Sequence, residues 1–335
     1  MTIIHARTPT RIDLAGGTLD IPPLYVFEDG GITLNVSISV MSVVTVEPLE
    51  RGVELFADDS GSTLTADNYD ELELGGDLDL IARIVRFYRP GAGVRVRTSS
   101  QAPRGSGLGA SSSLLIALSG ALNRALGDPY SRDDLIRIGA NLEAQCIGIP
   151  TGKQDYYGAM FPGVKAIWFG VDGDRVESLV VNESTLRKLE ERTILSFTGV
   201  SHFSGATNWD MFKGYIDNLV GVRLALKQIK QTALEMRDAL IEGDFDQFAR
   251  LLDVEWENRK ALAPGVTTPQ IDHMVHAAVG AGALASKICG AGGGGCMITF
   301  VEEGCRASVE TALETAGARL LPFTIDRVGL TVETR

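Results

Sequence analysis

Pro103-Arg104-Gly105-Ser106-Gly107-Leu108-Gly109-Ala110-Ser111-Ser112-Ser113 is a glycine-rich segment that runs directly into an apolar, Ala- and Leu-rich helix predicted over 110–126. Glycine loses more conformational entropy on folding than any other residue, so a dense cluster indicates that the backbone must approach something closely. The start of the helix adds free N–H groups and the positive end of its dipole beside the loop. The segment therefore predicts a binding site for a phosphate or a nucleotide.

This loop differs from two common phosphate-binding patterns. It has no Lys-Ser/Thr pair after its glycines, so it is not a P-loop. Gly105-x-Gly107-x-x-Ala110 satisfies a loose dinucleotide fingerprint, but a βαβ unit should return to a strand after the helix. Here Asp128-Pro129 leads into a second predicted helix instead, so we do not expect a Rossmann site.

The composition of the 335-residue chain is that of an acidic globular protein with room for two domains. A formal net charge of −12 argues against sequence-independent binding of nucleic acid, which requires a basic face. The four cysteines form no CxxC pair and no metal-ligand spacing, which favours reduced thiols and a cytoplasmic enzyme. Residues 279–301 contain Lys287 and many glycines, so we expect no membrane span there, and residues 1–7 lack the apolar core of a signal peptide.

Hydrophobic periodicity gives a coarse order of elements. In the first half it predicts strands over 3–15, 32–46, 94–98 and 168–181 and helices over 78–88, 110–126 and 131–147. The acidic, polar segment 182–191 is the expected boundary between domains of residues 1–188 and 189–335. In the second half it predicts a strand over 193–198, helices over 208–242, 245–263 and 269–285, a strand over 296–301, and a final helix and strand. This order is typical of an α+β layer.

Serines 111, 112 and 113 occupy the first turn of the predicted helix at 110–126. A hydroxyl at that place can contact a metal ion that bridges nucleotide phosphates, and hard Mg²⁺ prefers oxygen ligands. The alternative is that the serines only cap the helix, and for Ser113 we prefer that interpretation.

Glu143 lies on an otherwise apolar face of the helix predicted up to about residue 147. Ile136, Ala140 and Ile147 stand at helical spacing from it. A carboxylate on such a face is costly unless it is paired or bound to a metal. A metal ligand and a buried ion pair both remain open, and the serines of the glycine-rich loop favour the metal.

Asp155 follows in the segment Thr151-Gly152-Lys153-Gln154-Asp155-Tyr156-Tyr157, which we interpret as a loop. The nearby Lys153 would keep Asp155 ionised and could neutralise charge that develops on a transferring phosphoryl group. Alone, an aspartate in a loop is usually a turn residue. Beside the other features, we interpret Asp155 as a general base and Lys153 as its catalytic partner.

The N-terminal stretch Arg11-Ile12-Asp13-Leu14-Ala15-Gly16-Gly17-Thr18-Leu19-Asp20 combines two carboxylates, a guanidinium and a hydroxyl around a double-glycine turn. Such a set suits a polyol, whose hydroxyls need both donors and acceptors. The same residue types also describe an ordinary hairpin turn, so this signal is weak by itself.

Together these residues resemble the GHMP-superfamily kinases, named for galactokinase, homoserine kinase, mevalonate kinase and phosphomevalonate kinase. Three family motifs occur in order, over residues 8–20, 103–113 and 287–296, and they span nearly the whole chain. The resemblance implies a two-domain α+β fold, with an N-terminal domain like domain 2 of ribosomal protein S5 and a ferredoxin-like C-terminal domain. It also implies that ATP and a small-molecule substrate bind between the domains.

The resemblance assigns roles to matching positions of this sequence. It implies Ser111 and Glu143 as Mg²⁺ ligands, with Ser112 assisting, and Asp155 as the catalytic aspartate. The residues implied in ATP binding are Pro103, Gly105, Ser106, Gly107, Leu108, Gly109, Ala110, Ser111 and Ser112. Those expected to bind the substrate are Arg11, Asp13, Gly16, Gly17, Thr18 and Asp20, together with Gly292 and Gly293 of the second glycine-rich loop, 290–295, which would pack beside the first.

Within the family, Ala15-Gly16-Gly17-Thr18-Leu19-Asp20 resembles the sugar-kinase branch typified by D-glycero-D-manno-heptose 7-phosphate kinase. That branch usually has Gly-Thr where this chain has Thr18 and Leu19. We therefore expect ATP-dependent phosphorylation of a sugar or sugar phosphate, at the anomeric hydroxyl. A mevalonate- or homoserine-type kinase and a catalytically silent nucleotide-binding sensor are the alternatives. The sequence does not assign the segment 202–209 to heptose phosphate binding.

Overall fold

The computed structural model describes residues 2–201 and 204–335, and it contains two β-sheets with helices packed against them. The helices are α1 (Leu24–Phe27), α2 (Asp79–Tyr88), α3 (Ala110–Ala125), α4 (Arg132–Ile147), α5 (Gln154–Met160), α6 (Glu183–Arg192), α7 (Ser204–Ile216), α8 (Val220–Glu242), α9 (Phe245–Lys260), α10 (Pro269–Gly280) and α11 (Arg306–Thr315). The strands are β1 (Ile4–Ala15), β2 (Gly31–Leu49), β3 (Gly52–Ala57), β4 (Ser62–Ala66), β5 (Gly93–Ser100), β6 (Val164–Gly170), β7 (Gly173–Ser178), β8 (Thr193–Phe197), β9 (Ala283–Ile288), β10 (Cys296–Val301), β11 (Arg319–Leu320) and β12 (Thr331–Thr334). The predicted α+β class is confirmed.

The larger sheet has eight strands, with the order β12-β1-β2-β5-β3-β4, and in addition β6 pairs with β2 and β7 pairs with β6. β1 and β2 pair antiparallel along most of their length, and Arg11 lies opposite Ser37 while Asp13 lies opposite Asn35. Both strands are buried over most of these positions, which explains their long runs of apolar residues. Polar side chains at the end of β1 are therefore held in the interior, next to the turn at Gly16.

The larger sheet and the helices packed on it form the first layer of the molecule, and the smaller sheet with its helices forms the second. α3 is the central helix of the first layer. It packs on β1 and β2 and against α2, α4 and α5, so it is apolar around nearly its whole circumference. The approach of α4 is close, because a Cβ on Gly139 would lie 2.4 Å from a methyl carbon of Leu115. The start of α3 and the middle of α4 thereby become neighbours at the surface of the layer.

The smaller sheet is antiparallel, with the order β11-β8-β10-β9. α9 packs on β9 and also contacts β1, so one apolar cluster joins the two sheets. Ile12 and Leu14 of β1 belong to that cluster together with Phe248 of α9 and Phe300 of β10. The end of β1 thus lies where the two layers meet.

Several predicted elements differ from the structure. The helix predicted over 269–285 ends at Gly280, and Ala283–Ile288 is strand β9. A short apolar run that is buried on both faces cannot be told from helix by periodicity alone. The strand predicted over 168–181 is a hairpin of β6 and β7, and the helix predicted over 208–242 is divided between α7 and α8. The expected loop at 151–157 contains the start of α5.

The polar segment 182–191, expected as a boundary, forms helix α6 with Asn182 as its N-cap. The last strand, β12, returns to pair with β1 in the first sheet. The division at residues 188 and 189 stays a prediction. Among the described residues, no helix is long and apolar enough to cross a membrane.

Candidate active site

A cavity of about 270 Å³ opens where the two layers meet. It is bounded by the turn after β1, the first glycine-rich loop with the start of α3, the segment between α4 and α5, and the second glycine-rich loop. Its lining includes Arg11, Gly17, Thr18, Asp20, Gly105, Ser106, Gly107, Gly109, Ala110, Ser111, Ser112, Glu143, Thr151, Gly152, Gln154, Asp155, Gly205, Asn208, Arg259, Gly290 and Ala291. Most residues predicted from the three motifs are therefore brought together.

The first glycine-rich loop presents backbone to the cavity. Gly107 and Gly109 both have φ of +70°, a conformation that glycine adopts without strain. Gly109 is the N-cap of α3 and supplies no side-chain cap to the first N–H groups of the helix, and the first residues of the helix line the cavity. Such a cradle fits a phosphate chain. Pro103 and Leu108, which were also predicted to bind ATP, are not part of the lining.

The second glycine-rich loop packs directly on the first. The N–H of Cys296 donates to the carbonyl of Ser106 at 2.7 Å, and a Cβ on Gly107 would lie 2.4 Å from the carbonyl oxygen of Cys289. Gly292 and Gly293, predicted to bind substrate, instead pack against Val266 and do not line the cavity. Their place in the lining is taken by Gly290 and Ala291.

Asp155 lies in the first turn of α5 and is paired with Arg11 of β1. The Nη2 of Arg11 is 2.6 Å from Oδ1 of Asp155, and its Nε donates to the same oxygen at 2.7 Å. Nη1 donates to the carbonyl of Gly107 at 2.6 Å, so the guanidinium also holds the glycine-rich loop. Arg11 is buried, whereas the Asp155 side chain keeps 25% exposure toward the cavity.

Two opposing influences act on the Asp155 carboxyl. Burial raises its pKa and is the larger influence, while the charge and hydrogen bonds of Arg11 lower it, and the pKa remains above its ordinary value. The carboxylate also lies close to the phosphate loop, because a Cβ on Gly109 would be 3.0 Å from its carboxyl carbon. This combination suits a group that accepts a proton beside bound phosphates.

Lys153 does not contact Asp155 in the described structure. Its ammonium lies 2.9 Å from Asp174 and 3.3 Å from the hydroxyl of Tyr25, and Lys153 is not among the residues of the cavity wall. The cation at Asp155 is therefore Arg11, which the sequence assigned to the substrate. The geometry gives no support to Lys153 as a catalytic residue.

Glu143 lies on the cavity wall and is surrounded by hydroxyl donors. Ser111 Oγ donates to Oε1 at 2.6 Å, Thr151 donates to Oε2 at 3.3 Å, and Ser112 and Tyr156 also donate to the carboxylate. Burial raises the pKa of Glu143, and the hydrogen bonds from Ser111 and Tyr156 oppose that effect. The alternative of a buried ion pair is not supported, since these described partners are all hydroxyls.

The donor set at Glu143 fits Mg²⁺. One carboxylate and one serine hydroxyl, both oxygen donors and both on the cavity wall, match an ion that binds proteins through one or two ligands and takes the rest from phosphates and water. The described part of the chain has no cluster of three or more His, Cys, Asp or Glu side chains able to hold a metal by itself.

The residues predicted to bind the substrate at the end of β1 and in the turn after it fall into two groups, according to whether they line the cavity. Gly17, Thr18 and Asp20 line the cavity. Asp13 and Gly16 do not, since Gly16 packs on the backbone of Ile32 and Asp13 is fully buried.

Asp13 belongs to a buried charge network that joins the two layers. Its Oδ2 is 3.3 Å from Nζ of Lys287 and 3.8 Å from Nη2 of Arg259, which in turn is 3.0 Å from Glu255. Burial alone would raise the pKa of Asp13, but Lys287 and Arg259 hold it below its ordinary value. Asp13 thus links Arg259 and β9 to β1, and it is not part of the cavity lining.

Sequence reasoning missed some of the cavity wall. Arg259 and Gln154 line it, and so do Gly205 and Asn208 of the segment 202–209, for which no role was assigned. His202 and Phe203 of that segment lie outside the described residues. Arg259 could have been identified from the sequence. It stands four residues after Glu255 on a face of α9 that is otherwise apolar, and this is the spacing of an ion pair on a helix.

Two family models match the chain. Residues 79–163 match the GHMP kinases N terminal domain, and residues 236–319 match the GHMP kinases C terminal domain. The first covers α3, Glu143 and Asp155, and the second covers Arg259 and both sides of the second glycine-rich loop.

Two similar proteins align with nearly the full chain, and a third aligns with part of it. A D-glycero-alpha-D-manno-heptose 7-phosphate kinase of Campylobacter jejuni is 31% identical, over 98% of this chain and 98% of that protein. A solved D-glycero-D-manno-heptose 1-phosphate kinase from Bacteroides thetaiotaomicron superposes with a TM-score of 0.80 at 28% identity, over 99% of both chains. A mevalonate kinase of Thermococcus onnurineus is 32% identical, but over 72% of this chain and 70% of that protein.

Proposed function

Because this chain belongs to the GHMP kinase family, we propose that it transfers the γ-phosphoryl group of ATP to a hydroxyl of a sugar or sugar phosphate, with the anomeric hydroxyl as acceptor. The observation that carries the proposal is the Asp155 carboxylate, held by Arg11 at the edge of the phosphate cradle and facing the cavity. A base at that place can serve an acceptor hydroxyl aligned with the terminal phosphate.

The reaction follows from this arrangement. The acceptor oxygen forms a bond to the γ-phosphorus as the bond from that phosphorus to the bridging oxygen of ADP breaks. The hydroxyl proton passes to Asp155, whose raised pKa favours taking it up. Arg11 holds the carboxylate in position, and the amides at the start of α3 hold the phosphates.

Ser111 and Glu143 would hold Mg²⁺ in this proposal, with Ser112 close enough to assist. Bound there, the ion would neutralise negative charge on the phosphate oxygens. The hydroxyls of Thr151 and Tyr156 donate to the Glu143 carboxylate and hold it in place on the cavity wall.

The polar wall beside Asp155 supports a polyol as acceptor. Thr18, Asp20 and Gln154 offer both donors and acceptors on one side of the cavity. The heptose phosphate kinases with which the chain aligns over nearly its full length support the same class. The partial match to a mevalonate kinase makes a small-alcohol kinase the second candidate.

A substrate panel tests the proposal. ADP release with Mg-ATP is measured against hexoses, heptoses, their phosphates, mevalonate and homoserine. We expect turnover with a manno-configured heptose phosphate or a related free sugar. Turnover with mevalonate alone would replace the proposal by the second candidate, and ATP binding without turnover of any acceptor would favour a sensor.

A further inference from the structure

Gln154 immediately precedes the proposed base, and its backbone is held on both sides. Its N–H donates to Oδ2 of Asp20 at 2.9 Å, and its carbonyl accepts from Nδ2 of Asn35 at 3.2 Å. Asp20 and Asn35 belong to the turn after β1 and to β2, so the first residue of α5 is fixed against the large sheet. The position of this side chain is therefore determined by the fold.

The side-chain amide of Gln154 makes no hydrogen bond to any described residue. Its Oε1 is buried without a partner, although the residue is only 5% exposed and lines the cavity. A buried amide oxygen without a partner is costly to the free protein. A group of this kind on the wall of a cavity indicates a donor that the ligand supplies.

The wall beside Gln154 is polar and closely packed. A Cβ on Gly17 would lie 2.5 Å from Nη2 of Arg259, 3.0 Å from Oδ2 of Asp13 and 3.2 Å from Nε2 of Gln154. Arg259 is held there by Glu255 and by the carbonyl of Gly290, and its Nε is also buried without a partner. A side chain at position 17 would displace Arg259 or Gln154, so glycine there preserves the arrangement of this wall.

We propose that Gln154 is a specificity-determining residue that reads one sugar hydroxyl near the one that is phosphorylated. The hydroxyl donates to Oε1 of Gln154. This inference rests on the proposed sugar kinase function and adds to it a requirement for a particular hydroxyl. A site that hydrogen-bonds a substrate hydroxyl discriminates strongly against the analogue that lacks it, since its own polar group is then left unpaired.

The test compares the wild type with Gln154→Met, Gln154→Glu and the control Gln231→Met, whose wild-type side chain is on the exposed face of α8. The probes are D-glycero-D-manno-heptose 7-phosphate and D-mannose, each beside its 2-deoxy, 3-deoxy and 4-deoxy forms. kcat/KM is measured for turnover, and Kd is measured in the presence of a non-hydrolysable ATP analogue. The melting temperature is recorded without ligand.

We expect the wild type and Gln231→Met to disfavour one deoxy analogue by at least about tenfold, and Gln154→Met to disfavour it by no more than about twofold. The KM for ATP should stay unchanged in every variant. Without ligand, Gln154→Met should melt at the same temperature as the wild type or higher, because it removes an unpaired buried amide. Gln154→Glu should fold and keep part of the discrimination, since it retains an acceptor.

Equal discrimination by the wild type and Gln154→Met would overturn the inference. A clear loss of melting temperature in Gln154→Met would overturn it as well, because the amide would then have a partner within the protein. These results leave sugar turnover by the wild type intact, so they are distinct from failure of the proposed function. If the wild type turns over no sugar, the proposed function fails. In that case equal Kd values for each sugar and its deoxy analogues also reject the role of Gln154.

Discussion

The guanidinium of Arg11 and the carboxylate of Asp155 lie 2.6 Å apart although 144 residues separate them in the chain. One residue comes from the first strand of the large sheet and the other from the start of α5. The same guanidinium binds the carbonyl of Gly107. Arg11 thus connects the proposed base with the loop that would hold the phosphates.

Replacement of Arg11 should change the pH dependence of turnover. Its positive charge lowers the pKa of Asp155, so Arg11→Met should raise that pKa and move the acidic limb of the kcat profile to higher pH. Arg11→Lys keeps the charge, and its acidic limb should stay nearer to that of the wild type. The profiles are measured with saturating ATP and sugar, with Arg97→Met as a surface control. An acidic limb at the same pH in Arg11→Met and the wild type would show that Arg11 does not set the pKa of Asp155.

The contact between the two glycine-rich loops can be tested with a matched pair of substitutions. Gly107 and Gly61 have nearly the same φ, +70° and +67°, but a Cβ on Gly107 meets the carbonyl of Cys289 whereas one on Gly61 meets nothing within 4 Å. Gly61→Ala should cost roughly 1–2 kcal/mol for its left-handed backbone alone. Gly107→Ala should cost more in urea unfolding and should also weaken ATP binding. Equal losses in the two variants would mean that the loop contact contributes nothing.

Glu143→Gln should weaken the response to Mg²⁺. The amide keeps the shape of the side chain and can still accept from Ser111, but it loses the negative charge that a divalent ion requires. We expect the Mg²⁺ concentration for half-maximal turnover to rise at least about tenfold and kcat to fall. Glu54→Gln, on β3 and paired with Arg95, is the control. An unchanged Mg²⁺ titration would remove Glu143 from the metal site.

The carboxyl of Asp20 gives a stability prediction with a defined pH window. Burial raises the pKa of Asp20 from 3.8 to about 6, so the folded state holds this proton more tightly than the unfolded state. Its contribution is therefore lost as pH rises from about 4 through 6. Asp20→Asn does not titrate and can still accept from the N–H of Gln154, so its stability relative to the wild type should increase over this window.

Above this window the difference between Asp20→Asn and the wild type should reach on the order of 2–3 kcal/mol. The free energy of unfolding of both proteins is measured between pH 4 and pH 7. A difference that stays constant with pH, or that shrinks as pH rises, would contradict the assignment.

The glycine-rich backbone before α3 and the place of Glu143 beside it were predictable because their signals are local. Glycines that precede an apolar helix, and a carboxylate on its neighbour's apolar face, are visible within about twenty residues of sequence. The partner of Asp155 was not predictable in this way. Lys153 is two residues away in sequence, yet its ammonium binds Asp174. The cation that contacts Asp155 is Arg11, near the N-terminus.

The roles of Asp13 and Arg259 show a second limit. The sequence grouped Asp13 with Thr18 and Asp20 as a polyol site, whereas Asp13 faces inward to Lys287, a residue of β9. The prediction of helix across Ala283 and Ala285 concealed this strand and with it the charge network. A network that joins two layers depends on tertiary packing, which periodicity in one segment does not contain.

The most direct test of the central claim is phosphoryl transfer by Asp155→Asn compared with the wild type, on the sugar that the wild type turns over best. Phosphorus NMR identifies the phosphorylated hydroxyl, and ADP release gives kcat. We predict that Asp155→Asn folds, binds ATP like the wild type, and loses roughly 10²–10⁴-fold in kcat, while Asp58→Asn, on the surface, keeps full activity. Near-full turnover by Asp155→Asn would contradict the claim that this carboxylate is the base.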